Sequence, residues 1–75
     1  MFELKDIVCF RENHKWVGCL GFVNEIKKVK KDDGTYTVRL MIGVPVPMDG
    51  IAYIFAFPEE VENLNCAFKY PYDIQ

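Results

Sequence analysis

The stretch from Leu4 to Ile26, LKDIVCFRENHKWVGCLGFVNEI, constrains the fold more than any other part of this chain. It reads as two β-strands joined across a turn. A charged entry, Lys5-Asp6, precedes the apolar run Ile7-Val8-Cys9-Phe10, and two glycines, Gly18 and Gly21, stand just before Phe22-Val23. Side chains alternate between the faces of a strand, so Val8 and Phe10 share one side and Ile7 and Cys9 the other. The second strand is expected from about Val17 to Lys28. Its glycines allow the sharp bend by which one strand can serve two sides of a curved sheet.

The next signals are also β. Lys30-Lys31-Asp32-Asp33-Gly34 is a turn, because Asp-Gly tolerates positive φ and lies between two β-rich runs. A third strand from Tyr36 to Ile42 should send Tyr36, Val38, Leu40 and Ile42 into the core and Thr37, Arg39 and Met41 outward. The segment from Gly43 to Gly50 should then break the ladder, since Pro45 and Pro47 lack N–H donors, and a tight two-residue hairpin is excluded. Ile51 to Phe57 returns as a strand. Its two faces, Tyr53/Phe55/Phe57 and Ala52/Ile54/Ala56, are both apolar, so the buried one stays open. Pro58 to Leu64 fits a short helical turn, with Pro at the first position, glutamates at the positive end of the helix dipole, and Val61 and Leu64 facing inward. Residues 65–75 read as a last short strand or a packed tail.

The Lys-Asp entry, the apolar pair after it, Gly18 and Gly21 ahead of Val23, and the aromatic strand closing on Glu59-Glu60-Val61-Glu62 together resemble the SH3-like small barrels, closest to KOW domains. The resemblance spans roughly Leu4 to Leu64. Lys5 stands where those domains usually carry Gly, which favours the wider SH3-like class. The resemblance implies an all-β, five-stranded barrel with a short helical turn, with Val8 and Phe10 inside and a binding rather than catalytic role. The chain is also similar in general to short uncharacterised proteins encoded by bacteria and their phages, which implies a small adaptor or inhibitor.

Composition bounds the rest. Seventy-five residues make one domain, and half are hydrophobic, enough for one core. Neither a signal peptide nor a membrane span is expected, and Cys9, Cys19 and Cys66, odd in number and far apart, suit reduced thiols in the cytosol. Net charge is −2, unevenly spread: residues 1–40 hold eight Lys/Arg against six Asp/Glu, whereas residues 41–75 hold Lys69 against five acids. That balance argues against nucleic acid as the main ligand, which needs a broad basic footprint.

Candidate binding residues fall into two groups. Ile7, Phe22 and Met41 should lie on the outer face, opposite Val8, Val23 and Leu40, and with Trp16, Tyr70 and Tyr72 they form the expected surface for a protein partner or for self-association. Trp16 has a second reading, as a plug closing one end of the barrel, and the tail carrying Tyr70 and Tyr72 has a second reading, as a cover for the apolar patch. Lys27, Lys28, Lys30, Lys31 and Arg39 are the candidate phosphate contacts of a rival, KOW-like nucleic-acid reading, with Trp16 or Tyr36 available for stacking. Otherwise the lysines are a solvated hairpin tip. The chain contains no serine, and His14 has no nucleophile and acid beside it in sequence, so no catalytic constellation is expected. No cofactor is expected either. Cysteine and His14 spacings do not match a structural zinc site. If both readings of the cysteines hold, reductant and chelator, added separately in a thermal melt, leave the melting temperature unchanged; a fall with either identifies a disulfide or a metal.

Overall fold

The computed structural model describes residues 2–48 and 50–65. They form one five-stranded antiparallel sheet: β1 Ile7–Phe10, β2 Leu20–Lys30, β3 Tyr36–Val46, β4 Gly50–Ala56 and β5 Val61–Asn63, with a 3₁₀ turn at Pro58–Glu60. The spatial order is β4-β3-β2-β1-β5. The expected closed barrel is not formed, because β4 and β5 stand at opposite edges and do not pair. Pro58–Glu60 takes the chain out of extended geometry between them, and β5 is only three residues long. The loop after β1 spans the gap instead, with His14 on Phe55 O of β4 and Arg11 and Asn13 on residues 59–61. Arg11 N–H donates to Glu60 O (2.8 Å), Arg11 Nε to Val61 O (3.1 Å) and Asn13 Nδ2 to Glu59 O (3.3 Å).

The sheet curls around one core of Val8, Phe10, Val23, Leu40, Ile42, Val44, Ala56 and Val61, each at most 5% exposed. Alternation accounts for most of it, with Val8 and Phe10 inward on β1 and Leu40 and Ile42 inward on β3. Val38 is half-buried and Tyr36 exposed, because the β2–β3 hairpin runs on past the core into solvent. Its turn matches the Asp-Gly signal: Gly34 has φ +90°, Lys31 N–H donates to Thr35 O, and Asp33 Oδ1 accepts from both the Thr35 hydroxyl (2.6 Å) and the Thr35 N–H. Those bonds hold the Asp33 carboxyl below its ordinary range.

Three further expectations are corrected. β2 begins at Leu20, not Val17, because residues 11–19 form successive turns, closed by Val17 N–H on His14 O, Cys19 N–H on Trp16 O, and Gly18 at φ +86°. The ladder does not break at Gly43; β3 stays paired to Val46, through Pro45 opposite Ile51. β2 pairs with β3 only as far as Phe22↔Gly43, so no strand flanks Pro45 on its other side to miss an N–H. Finally, the helical turn ends at Glu60, and Val61–Asn63 is a strand paired with β1 through Val8↔Asn63 and Phe10↔Val61. The expected strand or tail over residues 65–75 lies outside the described residues beyond Asn65, as do Cys66, Tyr70 and Tyr72.

The entry to β1 is held by Asp6, a buried carboxylate. Its Oδ2 accepts from Glu3 N–H (3.0 Å) and Asn63 Nδ2 (2.8 Å), while its own carbonyl accepts from Val23 N–H (2.9 Å). Lys5 N–H donates to Val23 O (2.7 Å), and the turn that aims it there sets Lys5 at φ +73°. A residue with a Cβ is strained in that conformation, which glycine adopts without cost. Lys5→Gly is therefore expected to stabilise the fold by about 0.5–1 kcal/mol in denaturant unfolding, the relieved strain outweighing the extra freedom of glycine in the unfolded chain. A loss of stability would show that the Lys5 side chain itself contributes there.

Candidate functional site

The pairing register builds an apolar row across the outer, convex face. Ile7 lies opposite Phe22, Phe22 opposite Gly43, and Gly43 opposite Tyr53, so four strands contribute to one line. Leu20 flanks the row beside Cys9, and Pro45 lies opposite Ile51. On the other flank Met41 lies opposite Phe55, whose ring carries the Arg39 guanidinium at 4.3 Å from its centroid. Leu20, Ile51, Tyr53 and Phe55 are each between 44% and 55% exposed, although all are large and apolar in body.

Gly43 shapes the centre of this face. A Cβ built on it would lie 2.5–2.9 Å from the Cζ, Cε1 and Cε2 atoms of Phe22, so the ring lies flat across the Gly43 backbone. An aromatic covering a cross-strand glycine supplies the contact that the missing side chain cannot. Beside it a shallow apolar depression of about 160 Å³ is lined by Ile7, Leu20, Gly21, Phe22 and Pro45. A hollow of about 580 Å³ over Arg11, Glu12, Asn13 and Val17 is larger, but its walls are exposed loop side chains.

Three of the expected protein-binding residues, Ile7, Phe22 and Met41, are brought together here. Trp16 is not. It is half-buried and packs on the core from the loop between β1 and β2. His14 is engaged on both sides: Nδ1 accepts from Trp16 N–H (3.0 Å), which leaves Nε2 to donate to Phe55 O (3.2 Å), and its ring packs on Phe10 at 4.6 Å. The β4 residues escaped the sequence reading because both faces of that strand are apolar. The usable signal was size: the inward set Ala52, Ile54 and Ala56 holds the two small residues of the strand, and the outward set holds Tyr53 and Phe55.

The basic residues are divided. Lys27 lies opposite Arg39 on the outer face, whereas Lys28 and Lys30 lie opposite Val38 and Tyr36 on the other face, with Lys28 Nζ 4.6 Å above the Tyr36 ring. Lys31 belongs to the turn. Among the described residues, no group of three His, Cys, Asp or Glu is placed to hold a metal ion, and no helix is long and apolar enough to cross a membrane. Compared with known proteins, the chain matches no family model, no curated protein and no solved structure. Gly43→Ala should leave the fold intact, because the atoms its methyl meets are the swinging end of a side chain, yet lift the Phe22 ring. Ring-proton chemical shifts of Phe22 that do not move would show that the ring does not rest on Gly43.

Proposed function

We propose that this chain is a non-catalytic protein-binding module of the SH3-like class, acting through the outer face of its sheet. The observation that carries the reading is the row Ile7-Phe22-Gly43-Tyr53, flanked by Leu20, Pro45 and Ile51. Small soluble domains rarely leave a contiguous apolar patch of this kind in water unless it is a contact surface, and aromatic anchors dominate such contacts. The class is supported by the linear strand order whose edges are the last two strands of the chain, by the 3₁₀ turn between those two strands, and by a left-handed residue at the position where KOW-type entries carry Gly.

The fitting partner is a protein surface with an apolar anchor for the depression between Ile7 and Phe22 and an acidic group toward Arg39 and Lys27. A bacterial or phage adaptor or inhibitor working in the cytosol fits this chemistry. The aliphatic share of the face, Ile7, Leu20, Pro45 and Ile51, also favours protein over nucleic acid, because bases stack on aromatic rings and not on branched alkyl groups. The rival, phosphate-binding reading would need Lys27, Lys28, Lys30 and Lys31 to converge, and they are divided between two faces and a turn.

The test is capture from bacterial lysate on the immobilised chain, with and without nuclease. A protein retained after nuclease and lost with Phe22→Asp or Tyr53→Asp, both checked for folding by circular dichroism, is the expected result. Retention unaffected by either variant removes the outer face as the site, and loss of all bound material on nuclease treatment makes the nucleic-acid reading the better one.

A further inference from the structure

The two edges of the sheet are protected very differently. β5 is three residues long, carries Glu62, and is followed by Asn65, whose Oδ1 accepts from Ile7 N–H (2.6 Å). β4, Gly50–Ala56, is seven residues of GIAYIFA with no charge, no proline and no bulge. Natural sheets guard long edges with exactly those missing devices, because bare N–H and C=O groups are a template for another strand.

The main chain shows which groups are open. His14, outside the sheet, reaches Phe55 O, so the Phe55 carbonyl points away from β3. Backbone direction alternates along a strand, and the N–H and C=O groups of Tyr53 and Ile51 therefore point to the same open side. Beyond Phe55 the edge is closed: Phe57 N–H donates to Glu60 Oε1 (2.8 Å), and Phe57 O accepts from Glu60 N–H (2.9 Å). Among the described residues, the stretch of this edge with both main-chain groups of its outward-pointing residues open is Ile51 to Tyr53, whose midpoint is Ala52.

We propose that this stretch pairs with the same stretch of a second copy, antiparallel and about a two-fold axis at Ala52. In that register Ile51 of one copy exchanges both main-chain bonds with Tyr53 of the other, and the reverse, giving four hydrogen bonds. The His14 bonds to Phe55 O stay outside the paired region and are kept intact in this register. Ile51 then sits directly opposite Tyr53 on the outer face, a β-branched against aromatic pair of the kind that stabilises antiparallel ladders. The two Ala52 residues meet as the close, non-hydrogen-bonded pair, where Cα atoms approach to about 4.5 Å and small side chains fit. A second copy suits this edge because its open groups and its side-chain sizes are complementary to themselves under the two-fold.

This edge shares Ile51 and Tyr53 with the outer face but includes neither Phe22 nor Ile7, so variants at Ala52 and Phe22 test the two contacts apart. Sedimentation equilibrium of the full chain is expected to show a monomer–dimer equilibrium. Ala52→Lys, which sets two like charges face to face on the axis without touching the outer face, should weaken the dimer at least about tenfold. Phe22→Asp should leave it unchanged. Ala52→Cys, oxidised under mild conditions, should give a covalent dimer whose 52–52 disulfide is found by peptide mass spectrometry, since the close pair matches disulfide geometry. A chain monomeric up to about millimolar concentration overturns the proposal. So does a dimer lost with Phe22→Asp but kept in Ala52→Lys, which would assign self-association to the outer face. Should Ala52→Lys fail to fold, the absence of a 52–52 disulfide in a folded, dimeric Ala52→Cys protein is equally decisive.

Discussion

A single antiparallel sheet can enclose a core only by curling, and in this domain the curl depends on β2. Two features of that strand produce it. Gly21 faces inward, where a Cβ would lie 2.6 Å from Ile42 Cγ2 and 2.7 Å from Gly43 O, so β2 can press against β3 there only because it carries no side chain. Two residues later the pairing with β3 slips between Val23 and Glu25, a bulge that bends the strand and strengthens its twist. Val23, between the two, is fully buried and holds the entry turn through Lys5 and Asp6 on its carbonyl and N–H. Residues near the N-terminus and β5 are thereby tied to the point of greatest curvature.

The same curl decides which side chains face water. Its inner volume is filled by eight buried side chains, with Ala56 the inward group where β4 meets Leu40. Alternation from Ala56 puts Ile54 and Ala52 on the inner side with it and Tyr53 and Phe55 on the other. Tyr53 and Phe55 are therefore exposed as a consequence of the core packing rather than despite it. On the central strands Phe22 lies down over Gly43 for lack of a side chain beneath it. The apolar outer face and the apolar core are two results of one bend.

How much of this was legible in the sequence varies from strand to strand. β1 could be read in full, since a four-residue strand with one clear alternation leaves no choice. The β2–β3 turn was equally plain, because Asp33-Gly34 supplies both the side-chain acceptor and the positive φ. The bulge was readable in principle: Val23 and Ile26 are three apart, an odd spacing that cannot put both on one face of a regular strand, yet both point inward. Pro45 misled because a proline forbids a hydrogen bond on one side only, and which side is free is a property of neighbouring strands. β5 could not be read from Val61-Glu62-Asn63, since three residues define no period. Their strand geometry comes from β1 and from Asp6, fifty-seven residues away from Asn63. Of the candidate site, the half on β1 and β2 followed from alternation, and the half on β4 required knowing which of its two apolar faces meets Leu40 and Ile42.

The outer face and the β4 edge meet at Tyr53, and this gives the two proposed contacts a physical relation. Tyr53 ends the row that starts at Ile7, and its main chain borders the open edge. Two copies joined at Ala52 would continue the sheet from one β4 into the other, placing the two apolar rows end to end on one convex surface. Such a surface presents two identical anchors at a fixed separation, so a partner with a repeated or symmetric contact would engage the second without the translational cost of the first. A partner with a single anchor gains nothing from the pairing. The edge therefore acts on the valency of the outer face and not on its chemistry, which is set by Phe22, Gly43 and the aliphatic groups around them.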